Sequence, residues 1–356
     1  MARSVLVCMS GGVDSTVAAL RLRQDGYDVA GLTFWFWSEP ARPAEHGANQ
    51  CCSLDAAALA ARELGIPHRT VDATASFRDL VVSDFVARLR QGETPNPCGR
   101  CNRLVRFSLA LAHARREGFD YIATGHHARV GRDDEGFHLL RGADPRKDQT
   151  YFLYGLGQDV LSHLLLPVGS MSKDRVFAQA RDAGLTAAEL PESQDLCFTP
   201  GGDISALFEP DAAAPGPILD EAGREIGRHR GLPHYTIGQR RGLGIASARP
   251  LFVTDLDAAR NAVIVGSEAR LFTDRLAACD AHFASGRPPR DGSRIKAKIR
   301  YRTPSSPATL RVCNATTFAL AFEEPQRAVT PGQLAVLYEG ERLLGGGTIC
   351  RTRFAL

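Results

Sequence analysis

A glycine-rich loop lies directly between an apolar strand pattern and a helical pattern near the start of the chain. SVLVC, Ser4 to Cys8, has the residues of a buried strand, and TVAALRLRQ, Thr16 to Gln24, has a helical period. Between them lies SGGVDS, Ser10 to Ser15. Two glycines let backbone N–H groups curl around an anion, and the positive end of the helix dipole faces the same point. The stretch therefore predicts a phosphate-binding turn after a strand.

This loop lacks one residue of the commonest phosphate loops. A Walker-type loop needs Gly-Lys-Ser/Thr, and the chain has no such sequence. Ser10 and Ser15 can instead donate hydroxyl hydrogen bonds to phosphate oxygens, and Asp14 can hold a Mg²⁺ ion that bridges the phosphates. The loop resembles the pyrophosphate loop, or PP-loop, of the ATP pyrophosphatases, which split ATP between the α and β phosphates and transfer AMP to an oxygen.

Strand and helix patterns alternate through about residue 200. VAGLTFWF, HRTVD and DYIATG, at residues 29–36, 68–72 and 120–125, are typical of strands. Helical patterns cover residues 16–24, 54–64, 77–90 and 103–117. Strands separated by such helices predict an α/β fold with a doubly wound parallel sheet. Because ligands bind beyond the carboxyl ends of such strands, Gly125 would allow close approach of a nucleotide, and His126 could reach a substrate.

The pattern changes after residue 200. PDAAAPGP, Pro210 to Pro217, predicts a loop or linker, and short glycine-rich β-like runs follow as far as Cys279. Alternation in RIKAKIRY and QLAVLY, at residues 294–301 and 333–338, predicts antiparallel strands in a small barrel or sandwich. We therefore predict three domains: a PP-loop ATPase domain at 1–200, a small β-rich central domain at 201–279 and an antiparallel β-barrel at 280–356.

Charge is distributed unevenly along the chain. Ala281 to Leu356 contain twelve Lys and Arg against five Asp and Glu, so this part carries +7. Because the whole chain carries +3, the preceding residues carry −4. A basic tail domain on a mildly acidic body is typical of proteins with a polyanionic partner, although a solvated basic face gives the same pattern.

The chain shows no targeting signal. Its start lacks a basic segment followed by a long apolar run, and no apolar run approaches the roughly 20 residues of a membrane span. We therefore expect a cytoplasmic protein without a membrane partner. The nine cysteines are an odd number scattered along the chain, which argues against a disulfide framework.

Two cysteines form a Cys-x-x-Cys pair in TPNPCGRCN, Thr94 to Asn102. Cys98 and Cys101 follow a turn made by two prolines and an asparagine. Such a pair is typical of a redox site, a metal clamp or a sulfur carrier, and its spacing alone does not choose between them.

Eight motifs occur in an order that resembles one enzyme family. They are SGGVDS, TPNPxxxCN, ATGHHAR, RGADPRKDQTYFLY, LCFTPGG, TIGQRRGLG, TPGQLAVLY and LGGGTI. Together they resemble the tRNA-specific 2-thiouridylase family of the MnmA type, over nearly the whole chain. The resemblance implies a three-domain enzyme that adenylates the wobble uridine of certain tRNAs at its C2 oxygen. Sulfur from a cysteine persulfide then replaces that oxygen, and AMP leaves.

The resemblance also implies roles for individual residues. Cys101 matches the catalytic cysteine and Cys197 the cysteine that carries the persulfide. Asn96, Pro97 and Cys98 match positions that line the target base. Positions that match ATP contacts are Cys8, Met9, Ser10, Gly11, Gly12, Val13, Asp14, Ser15, Phe34 and Gly125. Positions that match tRNA contacts are His126, Lys147, Asp148, Gln149, Arg300, Tyr301 and Gln333.

Cys98 departs from the family pattern, which commonly has aspartate at this position. In one version of the mechanism Cys197 carries the persulfide, Cys101 resolves it, and Cys98 only fills the place of the aspartate. In the other, Cys98, Cys101 and Cys197 all ligate a [4Fe–4S] cluster, one thiolate short of the usual four, and the uncovered iron binds the sulfide. We favour the cluster, because the substitution introduces a residue type that completes a ligand set. Zinc on three thiolates is chemically possible too.

The predicted partners follow from this chemistry. Arg228 to Gly242 and the basic tail domain could grip the phosphates of a tRNA anticodon stem-loop. The sulfur would come from a persulfide or sulfide donor, such as a cysteine desulfurase or a sulfur-relay protein. Arg100 and Arg103 flank Cys101 and could favour its thiolate. Two other classes fit parts of the pattern: another PP-loop ATP pyrophosphatase of the tRNA 2-thiocytidine synthetase type, and a non-catalytic zinc-containing tRNA-binding protein.

Overall fold

The computed structural model describes residues 2–37, 54–192, 196–199, 204, 207–208 and 214–351. Its first part is a five-stranded parallel sheet in the order β3-β2-β1-β4-β7. The strands are β1 (Ser4–Cys8), β2 (Asp28–Trp35), β3 (His68–Asp72), β4 (Tyr121–Thr124) and β7 (Leu164–Leu165). The described helices are α1 (Val13–Gln24), α2 (Leu54–Glu63), α3 (Thr74–Phe77), α4 (Ser83–Arg90), α5 (Pro97–Cys101), α6 (Phe107–Glu117), α7 (Gln158–Leu161) and α8 (Lys173–Asp182).

Helices cover both faces of this sheet. Successive side chains of β1 point to opposite faces, so Val5 and Val7 join the core under α1, α2 and α8. Leu6 and Cys8 join the core under α4 and α6 on the other face. This arrangement confirms the predicted doubly wound α/β fold.

One helical region is longer than its sequence pattern predicts. Helical backbone runs from α5 through a π-helical turn at Asn102–Arg106 into α6, where residues 103–117 alone had the expected period. The Asn96 side chain caps the start by accepting a hydrogen bond from the Gly99 N–H at 3.1 Å. Pro97 occupies the first helical position, where its missing N–H costs nothing. The cysteine pair therefore lies on a helix.

The central part is a small four-stranded sheet in the order β10-β11-β8-β9. Its strands are β8 (Gly216–Leu219), β9 (Glu225–His229), β10 (Phe252–Asp257) and β11 (Ala262–Gly266). Ile218, Val253 and Val263 are fully buried and form its core with neighbouring apolar residues. The first half of the linker predicted at Pro210–Pro217 lies outside the described residues, and its last two residues begin β8.

The last part is a closed six-stranded antiparallel barrel. Its strands are β12 (Phe272–Phe283), β13 (Arg294–Lys298), β14 (Ser306–Asn314), β15 (Thr317–Arg327), β16 (Leu334–Glu339) and β17 (Arg342–Cys350). Pairing of β12 with both β15 and β17 closes the barrel and confirms its predicted class. The domain boundary predicted at residue 280 falls inside β12.

A hairpin of the first domain extends the barrel, which the sequence pattern did not predict. Strands β5 (Ala128–Asp133) and β6 (Gly136–Arg141) pair with each other, and β6 pairs with β17 through Leu139 and Leu343. Both leucines are buried in a core cluster that the first domain and the barrel share. The hairpin strands mix charged and apolar residues without a regular period, so the sequence alone does not show that they pair with the edge of the barrel. In the described part of the chain, no helix is long and apolar enough to span a membrane.

Candidate active site

The glycine-rich loop lies at the carboxyl end of β1 and leads into α1. Gly11 has φ +82°, and a Cβ there would lie 2.6 Å from the Ala56 Cβ. Both the left-handed backbone and the lack of space therefore disfavour a side chain at this position. The Ser15 hydroxyl donates to the Gly12 carbonyl at 3.0 Å and accepts from the Ser10 N–H at 3.2 Å. The loop is therefore held in shape by its own serines.

Gly125, at the end of β4, packs against this loop. A Cβ on Gly125 would lie 2.4 Å from the Ser15 nitrogen and 2.5 Å from the Asp14 carbonyl carbon. Glycine at position 125 therefore allows the end of β4 to approach the backbone of the phosphate loop. A contact between Gly125 and a nucleotide stays a prediction.

Three of the candidate ATP contacts have side chains in the protein core. Phe34 and Met9 are each 2% exposed, and the Phe34 ring stacks on Phe36 at 5.7 Å between centroids. Burial raises the pKa of the Cys8 thiol to about 11, and the nearby Arg106 charge only partly offsets this. Cys8 therefore stays protonated at neutral pH and is not a nucleophile.

Asp14 faces a cluster of charged residues that come from distant parts of the chain. Lys173 Nζ donates to both carboxylate oxygens, at 2.7 and 2.8 Å, and His127 Nε2 lies 3.0 Å from Oδ1. Burial alone would raise the pKa of Asp14, but the His127 hydrogen bond and the Lys173 charge hold it below its ordinary value. Asp14 is therefore ionised at neutral pH.

The ionised Asp14 carboxylate suits a divalent cation bound to phosphates. Within the described residues, no group of three or more His, Cys, Asp or Glu side chains could hold a metal ion by itself. A Mg²⁺ ion would therefore take Asp14 together with phosphate and water oxygens, which is its usual preference.

His126 lies next to this cluster, with a partly buried ring. Its Nδ1 lies 2.8 Å from the Thr124 hydroxyl, and the ring centroid lies 5.7 Å from that of Phe107. Burial, reinforced by the Arg106 charge, lowers the pKa of His126 to about 3. The side chain is therefore neutral at physiological pH and would meet a substrate as a hydrogen-bonding group, not as a cation.

The TPNPCGRCN segment docks on the barrel. The Thr94 N–H donates to the Pro331 carbonyl at 2.8 Å, and the Gln333 amide donates to the Thr94 carbonyl at 2.7 Å. A Cβ on Gly99 would lie 2.7 Å from Leu334, so glycine at this position allows α5 to pack closely against the start of β16. The barrel therefore fixes the position of the cysteine pair.

The three candidate cysteines differ in exposure. Cys98 is exposed, Cys101 is 6% exposed, and Cys197 is half-buried. Cys101 belongs to a core cluster of the first domain, and Cys197 packs against the same cluster. The three thiols do not form a group that could hold a metal ion within the described residues. The iron–sulfur ligand set stays a prediction.

The two arginines beside Cys101 are engaged by carboxylates. Arg103 pairs with Asp280 of β12 through both guanidinium nitrogens, with Nη1 at 3.0 Å from Oδ1. Arg100 Nε donates to the Leu80 carbonyl at 2.5 Å and lies 3.4 Å from Asp84. Asp84 and Asp280 thus largely balance the two positive charges. The two ion pairs connect this helical region to α4 and to the barrel.

Comparison with known proteins covers the three parts in turn. Residues 3–201 match the family model described as the tRNA methyl transferase HUP domain. Residues 208–267 match the tRNA methyl transferase PRC-barrel domain, and residues 273–349 match the aminomethyltransferase beta-barrel domain. The chain is 47% identical to the tRNA-specific 2-thiouridylase MnmA of Roseiflexus sp. (strain RS-1), over 98% of this chain and 99% of that protein. This chain belongs to the tRNA-specific 2-thiouridylase family.

Two further comparisons differ in sequence identity and in the share of the chain that they cover. The tRNA-specific 2-thiouridylase MnmA of Acidithiobacillus ferrooxidans is 43% identical, over 98% of each chain. A solved 4-thiouridine synthetase–RNA complex with bound ATP is 15% identical, with a TM-score of 0.35, over 55% of this chain and 45% of that chain. The family assignment rests on the full-length sequence relatives.

Several of the residues predicted to contact tRNA hold the structure together. Asp148 is 3% exposed, and its Oδ1 accepts from the Thr150 hydroxyl at 2.8 Å and from two backbone N–H groups. The Gln149 side chain accepts from the His127 N–H at 2.8 Å. These two side chains position the loop that carries Lys147, so direct contact of Asp148 with tRNA would require it to leave its partners.

The barrel residues predicted to contact tRNA also have partners within the protein. Arg300 donates to the Ala328 carbonyl at 2.6 Å and to the Thr330 hydroxyl at 3.1 Å. The Tyr301 ring lies 4.5 Å from that of Phe152 between centroids. Both side chains are half-buried, so parts of them remain accessible.

Sequence reasoning missed the partners that complete this site. Lys173 and His127 contact Asp14, Glu192 pairs with Lys173, and Asp280 pairs with Arg103. Of these four residues only His127 lies in one of the eight motifs, ATGHHAR, beside the candidate His126. The one local signal was Ser172, which caps α8 by accepting from the Arg175 N–H at 3.3 Å and so fixes where Lys173 starts the helix.

Proposed function

We propose that this protein catalyses ATP-dependent 2-thiolation of the wobble uridine of tRNA, with release of AMP and pyrophosphate. The observation that carries the proposal is a lysine-free phosphate loop with an ionised Asp14 in the same domain as a buried Cys101. The full-length 2-thiouridylase relatives support the same reaction. The loop serves ATP cleavage and the cysteines serve sulfur transfer.

The first step activates a poor leaving group. The C2 oxygen of uridine attacks the α phosphorus, the N3 proton leaves to solvent, and pyrophosphate departs with the electrons of the α–β bond. The backbone N–H groups of the loop and the start of α1 stabilise the phosphate charge. Mg²⁺, when bound, would neutralise phosphate charge, with Asp14 as its protein ligand.

The second step replaces oxygen by sulfur. A persulfide on Cys197 attacks C2, and AMP departs with the electrons of the C2–O bond. The Cys101 thiolate then attacks the Cys197 sulfur, so that the S–S bond breaks, sulfur stays on C2, and a Cys101–Cys197 disulfide forms. An external thiol must reduce this disulfide, and a cysteine desulfurase or sulfur-relay protein must restore the persulfide.

The iron–sulfur version of the mechanism is not part of this proposal. It needs Cys98, Cys101 and Cys197 as ligands of one metal group, whereas the persulfide route needs only Cys101 and Cys197. Cys98 is exposed at the start of α5, where it takes the place of the family's usual aspartate near the target base.

The proposed function has a direct test. The purified protein is incubated with an unmodified tRNA transcript, ATP, a cysteine desulfurase with cysteine, and a thiol reductant. We expect AMP, pyrophosphate and 2-thiouridine in the digested tRNA, in equal amounts, measured by chromatography and mass spectrometry. Release of ADP would contradict a pyrophosphatase mechanism, and 2-thiocytidine in place of 2-thiouridine would support the runner-up enzyme.

Binding of tRNA should depend steeply on salt. Arg240 and Arg241 are exposed in the central domain, and each lost phosphate contact should lower the slope of log affinity against log salt by about 0.7 to 0.9. The double substitution Arg240→Ala and Arg241→Ala should therefore flatten the slope by up to about 2. Arg224→Ala is the matched control, because Asp220 at 2.7 Å already neutralises this exposed arginine. Equal slopes in the native and double-variant proteins would contradict the prediction.

A further inference from the structure

Two cysteines of the barrel lie on neighbouring strands. In the pairing of β12 with β17, Cys279 is opposite Thr348 and Cys350 is opposite Ala277, so the two cysteines are diagonal neighbours. Ile349 is buried inside the barrel, and side chains alternate between the two faces of a strand, so both cysteines lie on the outer face. Both are half-buried, so a small molecule can reach them.

The two thiols contact each other. As a thiol, Cys279 donates to the Thr348 carbonyl at 3.5 Å. When Cys279 is ionised, the Cys350 S–H donates to its sulfur, and this hydrogen bond lowers the pKa of Cys279 to about 7. Partial burial opposes the shift, and the positive charge of Arg88 adds to it. Part of Cys279 is therefore a thiolate at neutral pH, the reactive form of cysteine, with a second thiol in contact.

Each of these cysteines is followed by a residue that ties the barrel to another part of the protein. Asp280 pairs with Arg103 of the helical region that carries the Cys-x-x-Cys pair. Arg351 donates to the Gly92 carbonyl, just after α4, at 2.8 Å and to the Leu256 carbonyl of the central domain at 2.7 Å. The two thiols therefore lie where the barrel contacts both other domains.

We propose that Cys279 and Cys350 are a redox-active pair, which a hydroperoxide oxidises to a disulfide. The Cys279 thiolate attacks one peroxide oxygen, the O–O bond breaks with loss of hydroxide or alkoxide, and Cys279 becomes a sulfenic acid. The Cys350 sulfur then attacks the Cys279 sulfur, the S–O bond breaks, and the S–S bond forms with release of water. The two sulfurs lose two electrons in all, and the peroxide gains them.

The disulfide would affect more than the two cysteines. Diagonal neighbours in a sheet are about 7 to 8 Å apart, somewhat more than the Cα separation of a relaxed disulfide. The bond therefore draws β12 and β17 together beside Asp280 and Arg351, whose contacts hold the barrel against the other domains. The inference does not depend on the proposed function, whose steps use Cys101 and Cys197.

The test detects the disulfide itself. Cleavage by trypsin places the two cysteines on separate peptides, residues 276–290 and 343–351. The reduced full-length protein is treated with hydrogen peroxide, the remaining thiols are alkylated, and the peptides are analysed by mass spectrometry without reduction. We expect at least about half of Cys279 in a disulfide between these two peptides, and its return to the thiol after treatment with dithiothreitol.

Cys350→Ser is the test variant, and Cys313→Ser is its matched control. Cys313 is an exposed cysteine on β14 of the same barrel. Without Cys350, Cys279 should stop at the sulfenic acid, which dimedone labels, and the linked peptides should be absent. Cys313→Ser should form the disulfide to the native extent. If Cys350→Ser does not fold, Cys350→Ala takes its place, with the same expected result.

Two results would overturn the inference. One is a native protein in which Cys279 and Cys350 stay thiols while the exposed Cys98 and Cys313 are oxidised. The other is a Cys279 that forms disulfides with other cysteines as often as with Cys350, because that would show unspecific oxidation. Neither result bears on the proposed function, whose failure would appear as a reduced protein that releases no pyrophosphate and makes no 2-thiouridine.

Discussion

Serine in place of Cys101 or Cys197 should abolish tRNA thiolation, with a loss of about 10³-fold or more, while pyrophosphate release continues. Removal of an essential nucleophile usually has an effect of this size. Pyrophosphate leaves in the first step, before either thiol is needed. We therefore expect about one pyrophosphate per tRNA in each variant, without 2-thiouridine in the digested nucleosides.

Cys98→Asp is the matched control, because it changes a cysteine of the same segment and restores the family's usual residue. Since the proposed persulfide steps use only Cys101 and Cys197, we expect thiolation within about threefold of native. Both forms should be purified and reconstituted without oxygen, and iron and visible absorbance measured. Loss of bound iron together with loss of thiolation in Cys98→Asp would show that the cluster mechanism was right.

Asp14→Ala should lower tRNA-dependent pyrophosphate release by about 10³-fold. The substitution removes the ionised carboxylate that can hold Mg²⁺, and it leaves Glu192 as the carboxylate partner of Lys173. Asp174→Ala is the control, because this carboxylate lies next to Lys173 in the chain but is 89% exposed. A variant with native unfolding temperature and pyrophosphate release within tenfold of native would contradict this role of Asp14.

The pH dependence of the reaction offers a check on the same residue. Burial alone would raise the pKa of Asp14, but the His127 hydrogen bond and the Lys173 charge hold it below its ordinary value, so the carboxylate stays ionised through the usual range of assays. An acid limb of the rate profile above pH 5 must therefore come from another group.

Local patterns in the sequence predict much of the fold. The strand–loop–helix unit at residues 4–24, the parallel sheet and the alternating barrel strands depend on periodicity and glycine placement, which neighbouring residues encode. His68–Asp72 has the predicted bounds of its strand, and Gly118 ends α6 with φ +78°. The family motifs added the candidate cysteines and the candidate ligand contacts, whose roles stay predictions.

Only the tertiary structure decided which charged and polar groups meet. Lys173 and Asp14 are 159 residues apart, and Gln333 and Thr94 are 239 apart, yet both pairs are in hydrogen-bond contact. No local period encodes such a contact, because it depends on how α8 packs beside α1 and how the barrel docks on α5. The same holds for Asp148, which a motif places at a tRNA contact and the fold buries among hydrogen-bond donors. The sequence by itself determined which chemical groups the chain has, and the packing of its elements decided which of them are free to act.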